Sequence, residues 1–334
     1  MDSVLPEELI SVSMEVCPDT SPNLNFRAWL LRAQNDDGGW GFHPGAESRV
    51  EPTCWSLRAL TAPGPANSLE EAPVADGLRF LTSAQLPDGS WPSTTKQHAG
   101  CWVTSLACWV LRDVRDEKYR TAITRGLRWV CRDWPKDSSW WQRGLRKFSA
   151  GSEHLKRNHH ARGWGWTPGT SSWVEPTAFA LLALEGQNAE VLPSSTEKRR
   201  KLGEALLYER MCPGGGWNCG NPEVYGVIGD PLVVPTSCAL LALRAHPERP
   251  ENKESLAWLE RAFPNINSPG SFALARICLA AYSHKAPVGG ASLNDYYARN
   301  ELLRSIPVAA WIALAVSDSR EWLNGNSKKK ATDL

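Results

Sequence analysis

Gln34-Asn35-Asp36-Asp37-Gly38-Gly39-Trp40 is the stretch on which the reading of this chain turns. It returns as Gln85-Leu86-Pro87-Asp88-Gly89-Ser90-Trp91, with the same kind of neighbours on both sides. Before each copy lies an apolar, helix-like run, Ala28-Trp29-Leu30 in the first and Phe80-Leu81 in the second. After each comes Pro-Thr or a lone Thr and then a second apolar run: Pro52-Thr53 through Leu60, and Thr104 through Leu111. A third, longer copy joins Trp129-Val130 to Gly163-Trp164-Gly165-Trp166 and then to Pro176-Thr177 through Leu184. A fourth runs from Leu206-Leu207 through Gly214-Gly215-Gly216-Trp217 to Pro235-Thr236 and Leu243. A unit repeated at such a period buries its apolar face only by stacking on its neighbours. The repeats therefore predict a stack of helical hairpins.

Working outward, six helix pairs can be laid along the chain after a short leading helix at 5–16. The first helices fall near 24–34, 73–86, 119–131, 197–211, 253–262 and 291–303. The second fall near 51–62, 101–113, 174–185, 234–245, 270–283 and 306–317. The second helices are apolar all round, as in Ala178-Phe179-Ala180-Leu181-Leu182-Ala183-Leu184, and a helix with no polar face is buried on every side. The first helices carry Arg, Lys and Glu on one face. The expected fold is therefore all-α, an α6–α6 toroid (an α/α barrel) with an inner ring of parallel second helices and an outer ring of first helices. Closure also spares the end repeats the caps that an open solenoid needs. Turn chemistry agrees: the Gly-rich turns supply positive φ where the outer helix stops, and Pro52, Pro176 and Pro235 stand in the first turn of an inner helix. Repeats five and six lack the Gly-Trp turn, Asn267-Ser268-Pro269-Gly270 replacing it in the fifth. One toroid domain is expected over 1–323, with a basic insertion at 142–163 and a disordered tail at 324–334.

Bulk properties narrow the function classes. Over 334 residues the net charge is +1, so nothing in the electrostatics points to nucleic acid. No apolar run approaches the ~18 residues of a membrane helix, although peripheral membrane contact is compatible with the sequence. Met1 to Ile10 carries acids and no basic stretch, so no signal peptide is expected there. The 9 cysteines are scattered through apolar segments and read as free buried thiols of a reducing, cytoplasmic chain. The outlier is 17 Trp, which suits stacking posts between hairpins or an aromatic-lined cavity.

The Gln34 to Trp40 and Gln85 to Trp91 segments resemble the Gln-Trp repeats of squalene and oxidosqualene cyclases. Related repeats build the β subunits of protein prenyltransferases. The resemblance is strong over 24–245 and implies a toroid whose central apolar cavity holds isoprenoid chains. Squalene cyclases have two such domains, and this chain has length for one. Their protonating segment, Asp-x-Asp-Asp-Thr at the start of an inner helix, matches Trp173-Val174-Glu175-Pro176-Thr177, where only Glu175 keeps a carboxyl. The Asp-x-Cys zinc pair of the prenyltransferases is absent from the sequence, so no metal site is expected, and Mg2+ enters only if the substrate is a diphosphate.

Candidate chemistry follows. Alkene protonation needs an acid in a dry cavity with aromatic faces to stabilise cations. Glu175 has Trp164, Trp166 and Trp173 close in sequence. It also reads as a helix-start carboxylate held by the dipole, a pattern that Glu51-Pro52-Thr53 repeats. Asp230 precedes the fourth inner helix, and three carboxylates at one mouth would couple and raise one pKa; a loop turn is the other reading of Asp230. Trp55 and Trp102 stand at inner-helix starts as cavity-lining candidates. Within the insertion, Arg143, Arg157 and Arg162 suit a diphosphate or a solvated loop. Three readings stay open: a protonation-initiated terpenoid cyclase with an isoprenoid or other apolar ligand, a prenyl-diphosphate transferase-like protein, and a non-catalytic lipid-binding scaffold.

Overall fold

A computed structural model describes residues 26–62, 71–112, 114, 117–132, 162–187, 192–224, 226–283 and 304–317. The expected leading helix at 5–16, the outer helix at 291–303, the tail and most of the basic insertion lie outside the described residues. The helices are α1 (Phe26–Arg32), α2 (Val50–Thr61), α3 (Glu71–Ser83), α4 (Val103–Leu111), α5 (Arg120–Arg132), α6 (Val174–Leu184), α7 (Thr196–Glu209), α8 (Val233–Leu243), α9 (Pro250–Ala262), α10 (Pro269–Ala281) and α11 (Ile306–Val316). A two-stranded hairpin, β1 (Glu223–Val224) and β2 (Val227–Ile228), is the sheet among the described residues. None of the described helices is long and apolar enough to cross a membrane.

The inner ring closes. Helix α2 packs on α4, α4 on α6, α6 on α8, α8 on α10, α10 on α11, and α11 returns to α2. These are the six apolar second helices, and Leu181, Leu184, Leu240 and Leu243 are all buried. The outer helices α1, α3, α5, α7 and α9 lie around them. Each packs mainly on the inner helix that precedes it in the ring: α1 on α11, α3 on α2, α5 on α4, α7 on α6 and α9 on α8. The hairpin that packs is thus inner then outer. The Gly-Trp turn carries the chain inward to the next position.

The recurring Trp holds this arrangement together. The Trp40 indole N–H donates to the Leu30 carbonyl at 2.7 Å, and its backbone N–H donates to Thr53 Oγ1 at 2.9 Å. Trp91 repeats both bonds with Leu81 and Thr104, Trp164 with Val130 and Thr177, and Trp217 with Leu207 and Thr236. All four rings are buried. Each Trp therefore ties the end of an outer helix to the start of the next inner helix with its polar groups satisfied, which removes the cost of burying an indole. The Gln of the repeat adds a second tie: Gln34 Nε2 donates to the Gly38 and Pro73 carbonyls, and Gln85 Nε2 to those of Gly89 and Ala122. In the third repeat, which lacks that Gln, buried Arg199 stacks on the Trp164 ring with its guanidinium carbon 3.5 Å from the centroid. It also donates to the Arg162 and Gly163 carbonyls.

Candidate active site

The bond from Trp to Thr fixes a common register for the inner helices. Trp and Thr are 13 residues apart in the first three repeats and 19 in the fourth; the longer fourth turn contains the β1–β2 hairpin. Two residues before the Thr, at the ring's N-terminal mouth, stand Glu51, Trp102, Glu175 and Val234. Glu51 and Glu175 are therefore equivalent positions on α2 and α6. Asp230 is not their counterpart on α8. It lies in the exposed loop before that helix, and Val234 takes the position of the acid. The expected three-carboxylate mouth is corrected accordingly.

The two acids are set apart by burial. Glu51 is pushed up to about 7 by desolvation. Burial also raises Glu175, partly opposed by a hydrogen bond from its own backbone N–H. Neither shift has a neighbouring carboxylate among its causes, so the coupling anticipated from the sequence does not operate. Glu175 Oε2 is buried with no hydrogen-bond partner among the described residues.

One helical turn deeper, at i+4 on the same faces, are Trp55 below Glu51 and Phe179 below Glu175. Trp55 is 3% exposed and meets rings from three other inner helices: Trp109 at 6.0 Å between centroids, Phe179 at 5.8 Å and Trp311 at 5.4 Å, all edge to face. A side chain that reaches α4, α6 and α11 from α2 lies in the lumen and fills it at that level. Trp55 is therefore a floor rather than a wall. Above it Trp102 packs on Trp166 and Phe179, at 5.3 Å from each, so half-buried Trp102 and Trp166 line the mouth. Trp173 caps α6 and is 38% exposed. Trp164, also a candidate for the lining, is instead one of the buried packing posts. Arg143 and Arg157 lie outside the described residues. The Arg162 backbone is bonded to outer helix α7 through Leu202 and Arg199.

Backbone bonds lace the rim. Trp102 N–H donates to the Trp166 carbonyl, Val174 N–H to that of Cys219, and Ile306 N–H to that of Phe42. In each, the start of one inner helix is tied to the residue two beyond the Trp of the next turn, and the last bond closes the ring from α11 to the first repeat. Between the starts of α6 and α8 opens a pocket of about 450 Å3, lined by Trp173, Cys219, Leu232, Arg210, Asn218 and Asn221 among others. Phe179, Trp109, Trp311 and this pocket were missed from the sequence. The Thr register would have found Phe179, which stands two after Thr177 as Trp55 stands two after Thr53.

No protein-family model matches the chain. A 219-residue stretch is 27% identical to the drimenyl diphosphate synthase of Streptomyces showdoensis, covering 56% of this chain and 40% of that protein. A 76-residue stretch is 38% identical to the squalene–hopene cyclase of Zymomonas mobilis, covering 19% of this chain and 11% of that one. These sequence relatives are terpenoid cyclases. Its fold matches the type II terpene cyclase MstE from Scytonema, solved with the product merosterolic acid A, at a TM-score of 0.51 and 14% identity over 87% of this chain and 77% of that one. The chain spans less than half the length of the curated relatives named above.

Proposed function

We propose that the chain is the acid-bearing toroid of a protonation-initiated terpenoid cyclase, with Glu51 as proton donor. The observation that carries this reading is the Glu51 carboxyl, pushed up to about 7 by burial at the first turn of α2 and one turn above the Trp55 floor. A carboxyl with that pKa holds its proton on about half the molecules near neutral pH. The helix dipole favours the ionised form by only about 0.3–1 kcal/mol at such a position, and desolvation outweighs it.

The chemistry is an isomerisation. The Glu51 proton adds to a terminal alkene carbon, whose π pair becomes the new C–H bond and leaves a cation on the neighbouring carbon. An internal alkene gives its pair to that cation and forms a ring bond. Loss of a proton to a base restores an alkene and returns the proton balance. The faces of Trp102 and Trp166 offer negative quadrupoles to the travelling charge, and Glu175 is a second carboxyl at the same rim. The likeness to drimenyl diphosphate synthase supports a prenyl diphosphate as the substrate class.

Incubation with farnesyl diphosphate and with squalene, followed by product analysis, tests the activity. Glu51→Gln should lower formation of a cyclic product at least about a hundredfold, as for a general acid. Formation at the wild-type rate would remove Glu51 from the role. The second reading, a lipid-binding scaffold, is favoured by the Trp55 side chain that fills the lumen; under it neither substrate is converted.

A further inference from the structure

All six inner helices can be compared at the position of Glu51. Trp102, Glu175 and Val234 hold it in the other Trp repeats. In α10 and α11 the Phe272 and Ala309 N–H groups donate to Ser268 and Ser305, the residues before those helices, as Thr53, Thr177 and Thr236 do to Arg49, Trp173 and Leu232. The same position is therefore Gly270 in α10 and Pro307 in α11. Round the ring the order is Glu51, Trp102, Glu175, Val234, Gly270, Pro307. The two carboxyls flank Trp102, and the opposite arc carries neither acid nor aromatic ring at this level. That arc is filled from Trp311, which lies so near Gly270 that an added Cβ would stand 3.1 Å from its Cζ3. On the acid-bearing arc the Trp102 ring rests on Phe179, one turn below Glu175, with centroids 5.3 Å apart. Phe179 in turn meets Trp55, one turn below Glu51, at 5.8 Å. A continuous aromatic surface thus runs beneath both acids.

We propose that Glu175 is the base that ends the cyclisation, taking a proton from the cation after its charge has passed from the Glu51 side across the face of Trp102. The inference rests on the cyclase reading and assigns the step for which that reading names no residue. A C–H bond next to the cationic carbon breaks; its proton goes to the Glu175 carboxylate and its electron pair becomes the π bond of the new alkene. Glu51, which gave its proton at the start, is then a carboxylate and Glu175 a neutral acid. The chain has lost one proton and gained one, and the substrate is isomerised. Helices α2 and α6 are alternate members of the ring. With neighbouring axes about 8–10 Å apart, alternate axes are about 14–17 Å apart, and two glutamyl side chains reaching in from them bracket a small ring system. Neither carboxyl perturbs the other, so one can be neutral while its counterpart is charged, as a donor and an acceptor must be. The Glu175 backbone N–H bonds its own carboxylate, which favours the accepting form. The proton also has a way out. The Glu175 charge adds to burial in raising the Cys219 thiol, and half-exposed Cys219 lines the pocket between α6 and α8, which gives Glu175 a route to solvent.

The test is product analysis after incubation with farnesyl diphosphate in heavy-oxygen water, for wild type, Glu175→Gln and Glu175→Asp. Without the base, water captures the last cation: its lone pair forms a C–O bond, one of its protons goes to solvent, and a cyclic alcohol carries the heavy oxygen. Glu175→Gln should lower the share of the wild-type alkene among the cyclic products at least about tenfold, with labelled alcohol taking its place. Glu175→Asp keeps a carboxyl one carbon shorter and should recover part of that share. The share is internal to each reaction, so it does not depend on the folded fraction. An unchanged share in Glu175→Gln overturns the proposal and leaves Glu51 as the acid. A Glu175→Gln variant that melts like wild type yet forms no cyclic product overturns it too, because Glu175 would then serve the protonation. So does a wild type that makes only the alcohol. If Glu175→Gln does not fold, the share in Glu175→Asp decides: a fall supports the assignment and an unchanged share overturns it. No cyclic product from wild type defeats the cyclase reading and this inference with it, whereas an unchanged share defeats this inference alone.

Discussion

The Trp91 ring lies against Gly126 so closely that a Cβ added to the glycine would stand 2.6 Å from Cζ3 of the indole. Gly77 faces Trp40 in the same way at 2.8 Å, and Gly203 faces Trp164 at 2.6 Å. All three glycines are inside outer helices, α3, α5 and α7, where glycine costs about 1 kcal/mol against alanine. The fold accepts that cost because the bare backbone lets the preceding repeat's Trp in. Gly126→Ala should therefore lower the melting temperature despite its gain in helix propensity, by a net of about 1–2 kcal/mol once overpacking is counted. Thermal unfolding followed by circular dichroism decides this, and a stabilised Gly126→Ala would show that the contact is loose.

This contact also shows what the sequence discloses. The inner ring could be read because α6 and α8 are apolar on every face, which leaves them no other place. The Trp posts could be read because a Gly-rich turn sets each at the same phase. The glycines that receive them stand in the next repeat, and their role follows only from which outer helix packs on which inner helix. The acids were legible as Glu-Pro-Thr starts, yet their inequality was not. Burial depends on what the other helices place over each carboxyl, and that contact is nonlocal. The pocket at 218–221 escaped notice because it arises from extra residues in one turn, which break the repeat rather than follow it.

Glu51 gives the fold a pH dependence of definite sign. Its carboxyl is raised by burial from 4.5 to about 7, so between those values the folded chain holds a proton that the unfolded chain has lost. Its contribution is fully present below about pH 4.5 and disappears as pH rises through about 7, because the native state must then bury a charge. The integrated effect is about 3 kcal/mol at most. Glu51→Gln should therefore flatten the stability profile between pH 5 and 8 and leave the variant more stable than wild type at the upper end. Urea unfolding at several pH values measures it. Parallel profiles for the two proteins would mean that Glu51 is solvated and is no candidate acid.

Among the described cysteines, Cys219 is half-exposed and the other seven are buried. Burial raises the Cys54, Cys108, Cys238 and Cys278 thiols well above their ordinary range, so these inner-ring groups stay protonated and shielded. A thiol reagent at pH 8 should modify Cys219 first and reach the inner-ring thiols only on unfolding, since the thiolate is the reacting form. Mass spectrometry of tryptic peptides follows each site. Rapid labelling of Cys108 or Cys278 in the native protein would contradict the closed ring.

Trp55 decides between a closed and an open lumen. Its indole fills the ring centre among Trp109, Phe179 and Trp311, and its Nε1 has no hydrogen-bond partner among the described residues. Replacing it therefore removes packing without breaking a polar bond there. Trp55→Ala should cost about 3–5 kcal/mol, the usual range for losing a buried Trp. Trp55→Phe keeps an aromatic face, removes the orphan N–H and should cost much less. The alanine variant should also gain an apolar cavity continuous with the mouth, and such cavities stay dry and take up small hydrocarbons. Xenon or benzene should therefore raise the melting temperature of Trp55→Ala and leave wild type unmoved. An equal response from the two proteins would mean that the native lumen is already open at this level, and that the floor of the site lies deeper than Trp55.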